Sequence, residues 1–177
     1  MDQTTVLRQP RIHRLALDGL IALGGSAFLA LLSQWALPLP FSPVPVTLQT
    51  LGVCLLGGLL GSRLALLSVF AYLVEGSLGL PVFAGGLMTM GYRFAFLPAA
   101  WIMGKLVENN ASFSRIVVAS TVSTGIVLVL GAAWLGVFIG GPQAITAGIL
   151  PFLAGSVAKI LLGAVVLKGY QRSLNKD

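Results

Sequence analysis

Arg93 and Lys159 are the residues of this chain best suited to hold a ligand, because they are the hardest to place otherwise. Both stand inside apolar runs. Lys159 lies about nine residues into the last run, about 13 Å down a helix that begins near Leu150. A cation at that depth is costly in hydrocarbon. It faces a bundle interior, pairs with an acid or marks a ligand path, unless its stem lets the charge reach an interface. Acids are scarce: five Asp and Glu stand against eleven Lys and Arg. Glu75 falls at the outer end of its helix (the side is assigned below from charge), and Asp18 falls on the opposite side. Glu75 either pairs with these cations or sits at the interface. With at most one acid beside them, positive charge is left over, and an anionic ligand group such as a carboxylate would meet it. Thr47, Gln49 and Thr50 add uncharged hydrogen-bonding groups, in a stretch from Leu37 to Ser62 that holds no Lys, Arg, Asp or Glu. A loop that only connects helices in water has little reason to be so apolar, whereas a loop folded over a cavity does. Phe83 and Tyr92 could stack on a ligand or serve as interfacial belt aromatics.

Bond-making chemistry has few candidates. There is no G-x-x-x-x-G-K-[ST], H-E-x-x-H or G-x-S-x-G. One His and one Cys cannot build a metal site or an internal disulfide. The net charge of +6 is spread out, with no basic run interleaved with aromatics, which argues against nucleic acid. The expectation is a binding protein with no cofactor and no metal, and not an enzyme.

The elements that must position these residues are membrane helices. Hydrophobic residues make up 56% of the 177 positions and charged ones 9%, against about 25% charged in soluble domains. Mean hydropathy is +0.95. Residues 1–13 read as a basic cytoplasmic tail. The run 15–37 is too long for a signal-peptide core and reads as a retained span. The first helix is expected over about 14–37, with Ala22, Ser26 and Ala30 at i, i+4, i+8. That small-residue stripe admits a close neighbour, either another helix of this chain or a separate subunit. Pro38, Pro40, Pro43 and Pro45 force extended backbone next. Residues 47–74 form either one tilted helix with Arg63 in its middle or two short helices turning at Gly61-Ser62-Arg63. Two such helices, each about 21 Å long, fall short of a bilayer crossing. The irregular segments beside them, 38–46 and 76–87, would then lie at membrane depth, where such backbone is tolerated only when buried or lining a cavity. Further helices are expected over about 88–107, 115–138 and 150–170, with a Gly/Pro loop over 139–148 and a second tail over 171–177.

Charge chooses between the alternatives. With six helices and the N-terminus inside, Arg8, Arg11, Arg14, Arg63, Lys105, Arg115, Lys168, Arg172 and Lys176 all fall inside, and the outer loops hold no Lys or Arg. Five helices would put Lys168, Arg172 and Lys176 outside and Arg63 in mid-bilayer. The expected architecture is therefore an all-α integral membrane domain over 14–170, multi-pass in the plasma (inner) membrane. It has six transmembrane helices, both termini cytoplasmic, and extracellular loops folded over an outward-facing pocket.

Several blocks of the sequence carry a resemblance. Pro43-Val44-Pro45-Val46-Thr47-Leu48-Gln49-Thr50-Leu51, Tyr72 with Gly76, the run from Gly79 to Gly86, Gly91-Tyr92, Trp134-Leu135-Gly136, Ala147-Gly148, Pro151-Phe152 and the Lys159 position are similar to those of the BioY family. These are the biotin-specific S components of energy-coupling factor transporters. The likeness covers about 40–165. It implies six helices, a pocket open to the outside, and capture of biotin. It also implies as partners an EcfT-type transmembrane coupling subunit and two cytosolic ATP-binding subunits, docked by family habit on the small-residue face of helix 1. Two positions depart from the pattern. Ser156 stands where members often carry an acid, and Leu87-Met88-Thr89-Met90 stands where a Pro-Thr-Gly-like segment is usual. For biotin, Arg93 or Lys159 would meet the carboxylate. Gln49, Thr47, Tyr92 and Ser156 are candidates for the ureido ring, and Glu75 and Phe83 complete the expected set. A self-sufficient carrier of a small carboxylate is the alternative, against which the absence of repeat halves counts. A ligand-free structural subunit would leave Arg93 and Lys159 unexplained.

Overall fold

The structure is a computed structural model and describes residues 11–107 and 111–174. Most of the expected N-terminal tail, with Arg8, and the chain end, with Lys176, lie outside the described residues. The fold is helical. Helix α1 spans Arg11–Gln34, beginning and ending three residues earlier than expected. It stops because the proline-rich segment after it pairs as a hairpin. Strand β1, Ala36–Leu39, runs antiparallel to β2, Ser42–Thr47, with Ala36 opposite Thr47 and Leu39 opposite Ser42. Pro38 falls where the register slips between Leu37 and Leu39. Prolines cannot donate to a ladder, so they persist only at edges and irregularities, and a two-stranded sheet consists of edges.

Helix α2 spans Gln49–Ser77 and is broken at Gly61, where φ is 75° and ψ 173°. That backbone region is open to glycine alone. The stretch is thus two short arms, 49–60 and 62–77, with the turn where the glycine and Arg63 predict it. Gly104 of α3 (Met90–Val107) presses its Cα against the Ser62 backbone, where a Cβ would collide. Arg63 and Asp18 pair at 3.5 Å, which sets the α2 break beside the start of α1. With Arg63 73% exposed, this pair adds little stability.

A 3-10 turn, Leu87–Thr89, leads into α3. Helix α4 spans Phe113–Ile139. The Ser112 hydroxyl accepts from the Arg115 backbone N–H at its start, and Gly140 ends it at φ 87°. The expected loop over 139–148 is instead mostly a short helix, α5, Gly141–Gly148. Pro142 fits its first turn, where no N–H is needed, and Ala144 is buried against the bundle. Helix α6 spans Leu150–Leu174, and its Lys168 reaches the Ala111 carbonyl at 3.0 Å.

Helix α3 lies between α2 and α4, with Ala95, Ala99 and Ala100 buried. Leucines and valines such as Leu20, Leu31, Val129, Val137, Val157 and Val165 face outward. Small residues inside and bulky apolar ones outside is the pattern of helices packed in lipid, where close approach, not water exclusion, holds them together. Among the described residues, the stretches His13–Gln34, Gln49–Ser77, Phe113–Ile139 and Gly141–Leu174 are long and apolar enough to cross a membrane.

Candidate ligand site

At the end of the bundle away from the α2 break, the hairpin, the α2–α3 connection and α3, α4 and α6 enclose a cavity of about 50 Å³. Val44, Pro45 and Thr47 come from the hairpin, Gln49 and Thr50 from the first turn of α2, and Ala84 from the connection. Thr89, Tyr92, Arg93 and Phe96 come from the start of α3, Val127 and Leu128 from α4, and Phe152, Ser156 and Lys159 from α6. Six of the eight ligand residues expected from the sequence line this one space: Thr47, Gln49, Tyr92, Arg93, Ser156 and Lys159. Sites for vitamin- or drug-sized ligands measure about 300–1,000 Å³. The walls as they stand must move apart to admit one.

The two cations do different work. Lys159 Nζ donates to the Thr47 carbonyl at 2.6 Å and approaches Thr50 Oγ1 at 3.4 Å. Its third proton is not committed to either. Ser156 sits one turn before it on the same face of α6 and is buried. Arg93 is 3% exposed and turns both terminal nitrogens to the chain, Nη1 to Met90 Sδ, while its buried Nε has no hydrogen-bond partner among the described residues. Nη2 has three acceptors for its two protons, Ala84 O at 2.6 Å, Gly85 O at 2.7 Å and Thr89 Oγ1 at 2.5 Å. The planar group stacks on the Phe83 ring at 4.3 Å. Phe83 therefore stands behind Arg93, outside the cavity wall, and meets Tyr72 edge-on at 5.2 Å. It can lie there because Gly76 has no side chain to oppose it.

Glu75 is elsewhere. Its carboxylate accepts a hydrogen bond from Ser26 Oγ of α1, not from Arg93 or Lys159. Neither cation has a carboxylate partner among the described residues. Ser26 and Ala22 are buried within the chain, and Ala30 is half-buried. Of the stripe expected as a partner-docking face, Ala22 and Ser26 are thus buried in internal packing against α2. The reason is the Glu75 contact together with Gly25, whose missing Cβ makes room for Ser68.

Tyr92 gives its hydroxyl to Gly148 O at 2.8 Å, with its ring in a slot left by Gly131 and Gly148. It offers the cavity a ring face, tilted toward Phe152 at 6.4 Å. Gln49 Nε2 donates to Tyr72 OH at 2.6 Å, and Thr47 Oγ1 lies 3.4 Å from Gln49 Oε1. The site combines a polar set (Lys159, Thr47, Thr50, Gln49, Ser156) with an apolar one (Phe96, Tyr92, Phe152, Val127, Leu128, Val44). It suits an amphipathic ligand with an anionic or strongly accepting group. No group of His, Cys, Asp and Glu that could hold a metal occurs among the described residues.

Sequence reasoning missed Thr89, Phe96, Val127, Leu128 and Val44 as wall residues. Phe96 carried a signal, standing one helical turn after Tyr92. Val127 and Leu128 carried none, since an apolar residue of a membrane helix looks the same facing lipid or ligand.

Comparison with known proteins identifies the family of the chain. A family model described as the BioY family matches residues 7–176. A biotin transporter BioY of Thermotoga maritima is 32% identical over 156 residues, covering 83% of this chain and 92% of that one. One of Rhodobacter capsulatus is 33% identical over 171 residues, covering 84% and 90%. A crystal structure described as the S-component for biotin from an ECF-type ABC transporter superposes with a TM-score of 0.76 at 26% identity, over 90% of this chain and 93% of that one. The chain belongs to the BioY family.

Proposed function

We propose that this chain captures biotin outside the cell and delivers it inward as the membrane subunit of a vitamin uptake system. In this reading six helices cross the plasma (inner) membrane, both termini are cytoplasmic, and the hairpin and the α2–α3 connection close over an outward-facing site. The observation that carries it is the cavity itself, where Lys159 stands beside Gln49, Ser156 and an aromatic wall, with no acid among the described residues to neutralise it. Biotin has the matching parts, an acid, a cyclic urea and an apolar body. Lys159 is the cation that engages the ligand, because its ammonium has a proton to spare while both terminal nitrogens of Arg93 are taken up by the chain. Arg93 holds the connection in place through the Ala84 and Gly85 carbonyls. Relatives named as biotin transporters, and the likeness to an S-component of an ECF-type transporter, support the substrate and the setting.

Titration of the purified chain with biotin and biotin amide tests the site. The amide is expected to bind at least about tenfold more weakly, the worth of one charge-assisted hydrogen bond of about 1.5–3 kcal/mol. Lys159→Met should shrink that gap and Arg93→Met should not. Equal affinity of the wild type for both ligands rejects the electrostatic part of the reading. Delivery is expected to need an EcfT-type coupling subunit and two cytosolic ATP-binding subunits. Uptake by the chain alone would make it a self-sufficient carrier instead, a role that relatives named only as biotin transporters leave open.

A further inference from the structure

The geometry points to Tyr72 as the residue that decides which kind of ligand group the Gln49 side of the cavity accepts. Tyr72 is fully buried in the second arm of α2, behind the cavity wall. Its hydroxyl lies between the Val82 carbonyl, at 3.0 Å, and the Gln49 amide, at 2.6 Å. A phenol has one proton to give, and a carbonyl can only accept. The proton therefore goes to Val82 O, and the phenol oxygen must accept from Gln49. That obliges Gln49 to turn Nε2 toward Tyr72 and leaves Oε1 as its free end. Reversing the amide would draw the phenol proton to Oε1 and leave Val82 O with only Ser33 Oγ, at 2.6 Å, whose single proton the Ala30 carbonyl also competes for at 2.7 Å. The reversed cluster has one hydrogen bond fewer in a buried setting, where each counts.

Thr47 Oγ1 approaches Gln49 Oε1 only at 3.4 Å, and a carboxamide oxygen has two lone pairs, so accepting capacity remains. The cavity thus presents a fixed acceptor at Gln49. It selects a ligand group that donates there, such as the N–H of a cyclic urea, and rejects one that presents an oxygen lone pair. Tyr72 touches no ligand in this arrangement and acts as a positioning residue. The inference rests on the biotin reading above, and its test separates the two.

The test is binding of biotin and of its two isosteric carbamates, each with one ureido N–H replaced by ring oxygen, to the purified chain. The wild type is expected to bind the carbamate whose oxygen faces Gln49 at least about tenfold more weakly than biotin, since two acceptors then oppose each other. In Tyr72→Phe the amide is free to turn, and that preference falls to within about threefold, while the preference against the other carbamate does not move. Gln49→Leu, which removes the acceptor, gives the same loss of preference and carries the test if Tyr72→Phe does not accumulate. A preference that survives in either variant overturns the inference, as does a wild type that binds biotin and both carbamates equally. A wild type that binds no biotin overturns the biotin reading instead.

Discussion

A buried arginine without an acid is costly in any interior, and Arg93 is tolerated because three backbone or hydroxyl oxygens and an aromatic face surround it. One terminal nitrogen, Nη2, meets all three oxygens, and the planarity of the group serves the Phe83 face. Arg93→Lys keeps the charge and loses the planar group that lies on Phe83 while Nη2 holds the loop carbonyls, so the Ala84–Gly85 segment should loosen. The expected result is a faster biotin off-rate, by about tenfold, with faster hydrogen exchange confined to the 78–89 connection. An off-rate equal to wild type would show that the loop is held by something else. Tyr92 makes a second residue-scale case. Its ring fits against Gly131 with no room for a Cβ, and a ring cannot fold out of the way. Gly131→Ala should cost about 1–3 kcal/mol of stability and weaken ligand binding together, because the displaced ring is a cavity wall. Thermal unfolding in detergent and biotin titration would measure the two effects.

At the scale of elements, the break in α2 gives the site its depth. An unbroken helix from Gln49 to Ser77 would carry about 43 Å of rise straight across the bilayer. With Gly61 at φ 75°, the chain turns, and the first arm delivers Gln49 and Thr50 to the cavity while the second delivers Tyr72. Gly61→Ala places a side chain where only glycine is at ease. The expected loss is about 1–3 kcal/mol, read as a lower unfolding temperature, with biotin affinity reduced less than by changes at the cavity. Helix α1 is tied to α2 by Ser26–Glu75 and to the connection by Ser33 Oγ on Val82 O. Ser26→Leu should therefore damage folding and binding together. Loss of uptake with ligand binding intact would instead restore the stripe as a surface for a partner.

The whole molecule is polarised. Arg63 sits with Asp18 beside the start of α1, Lys168 reaches the α3–α4 connection, and the cavity with Arg93 and Lys159 occupies the other end. A charged end and an end closed by uncharged loops is the asymmetry that orients helices in a membrane. A reporter fused after Asp177 should read as cytoplasmic, and an external reading would reject the six-crossing arrangement.

Charge and backbone chemistry were legible from the sequence because they act locally or through the solvent. The scarcity of charged residues settles lipid as the surroundings. Gly61 beside Arg63 marks a turn, the four prolines before Val46 forbid helix, and Lys159 has no apolar use at its depth. Six ligand candidates lie around one cavity for the same reason, since polar groups in a membrane helix have few places to go. What only the tertiary structure decided is which polar group meets which. Glu75 pairs with Ser26, 49 residues away, rather than with a cation, and Tyr92 spends its hydroxyl on Gly148, 56 residues on. Arg93 turns to the loop, Ala22 and Ser26 turn inward, and residues 141–148 coil into a helix once Ala144 finds a buried seat. Each of these depends on the rotation of one helix against another. In an almost uniformly apolar sequence, hydrophobic periodicity does not specify that rotation, and close-packed small residues do.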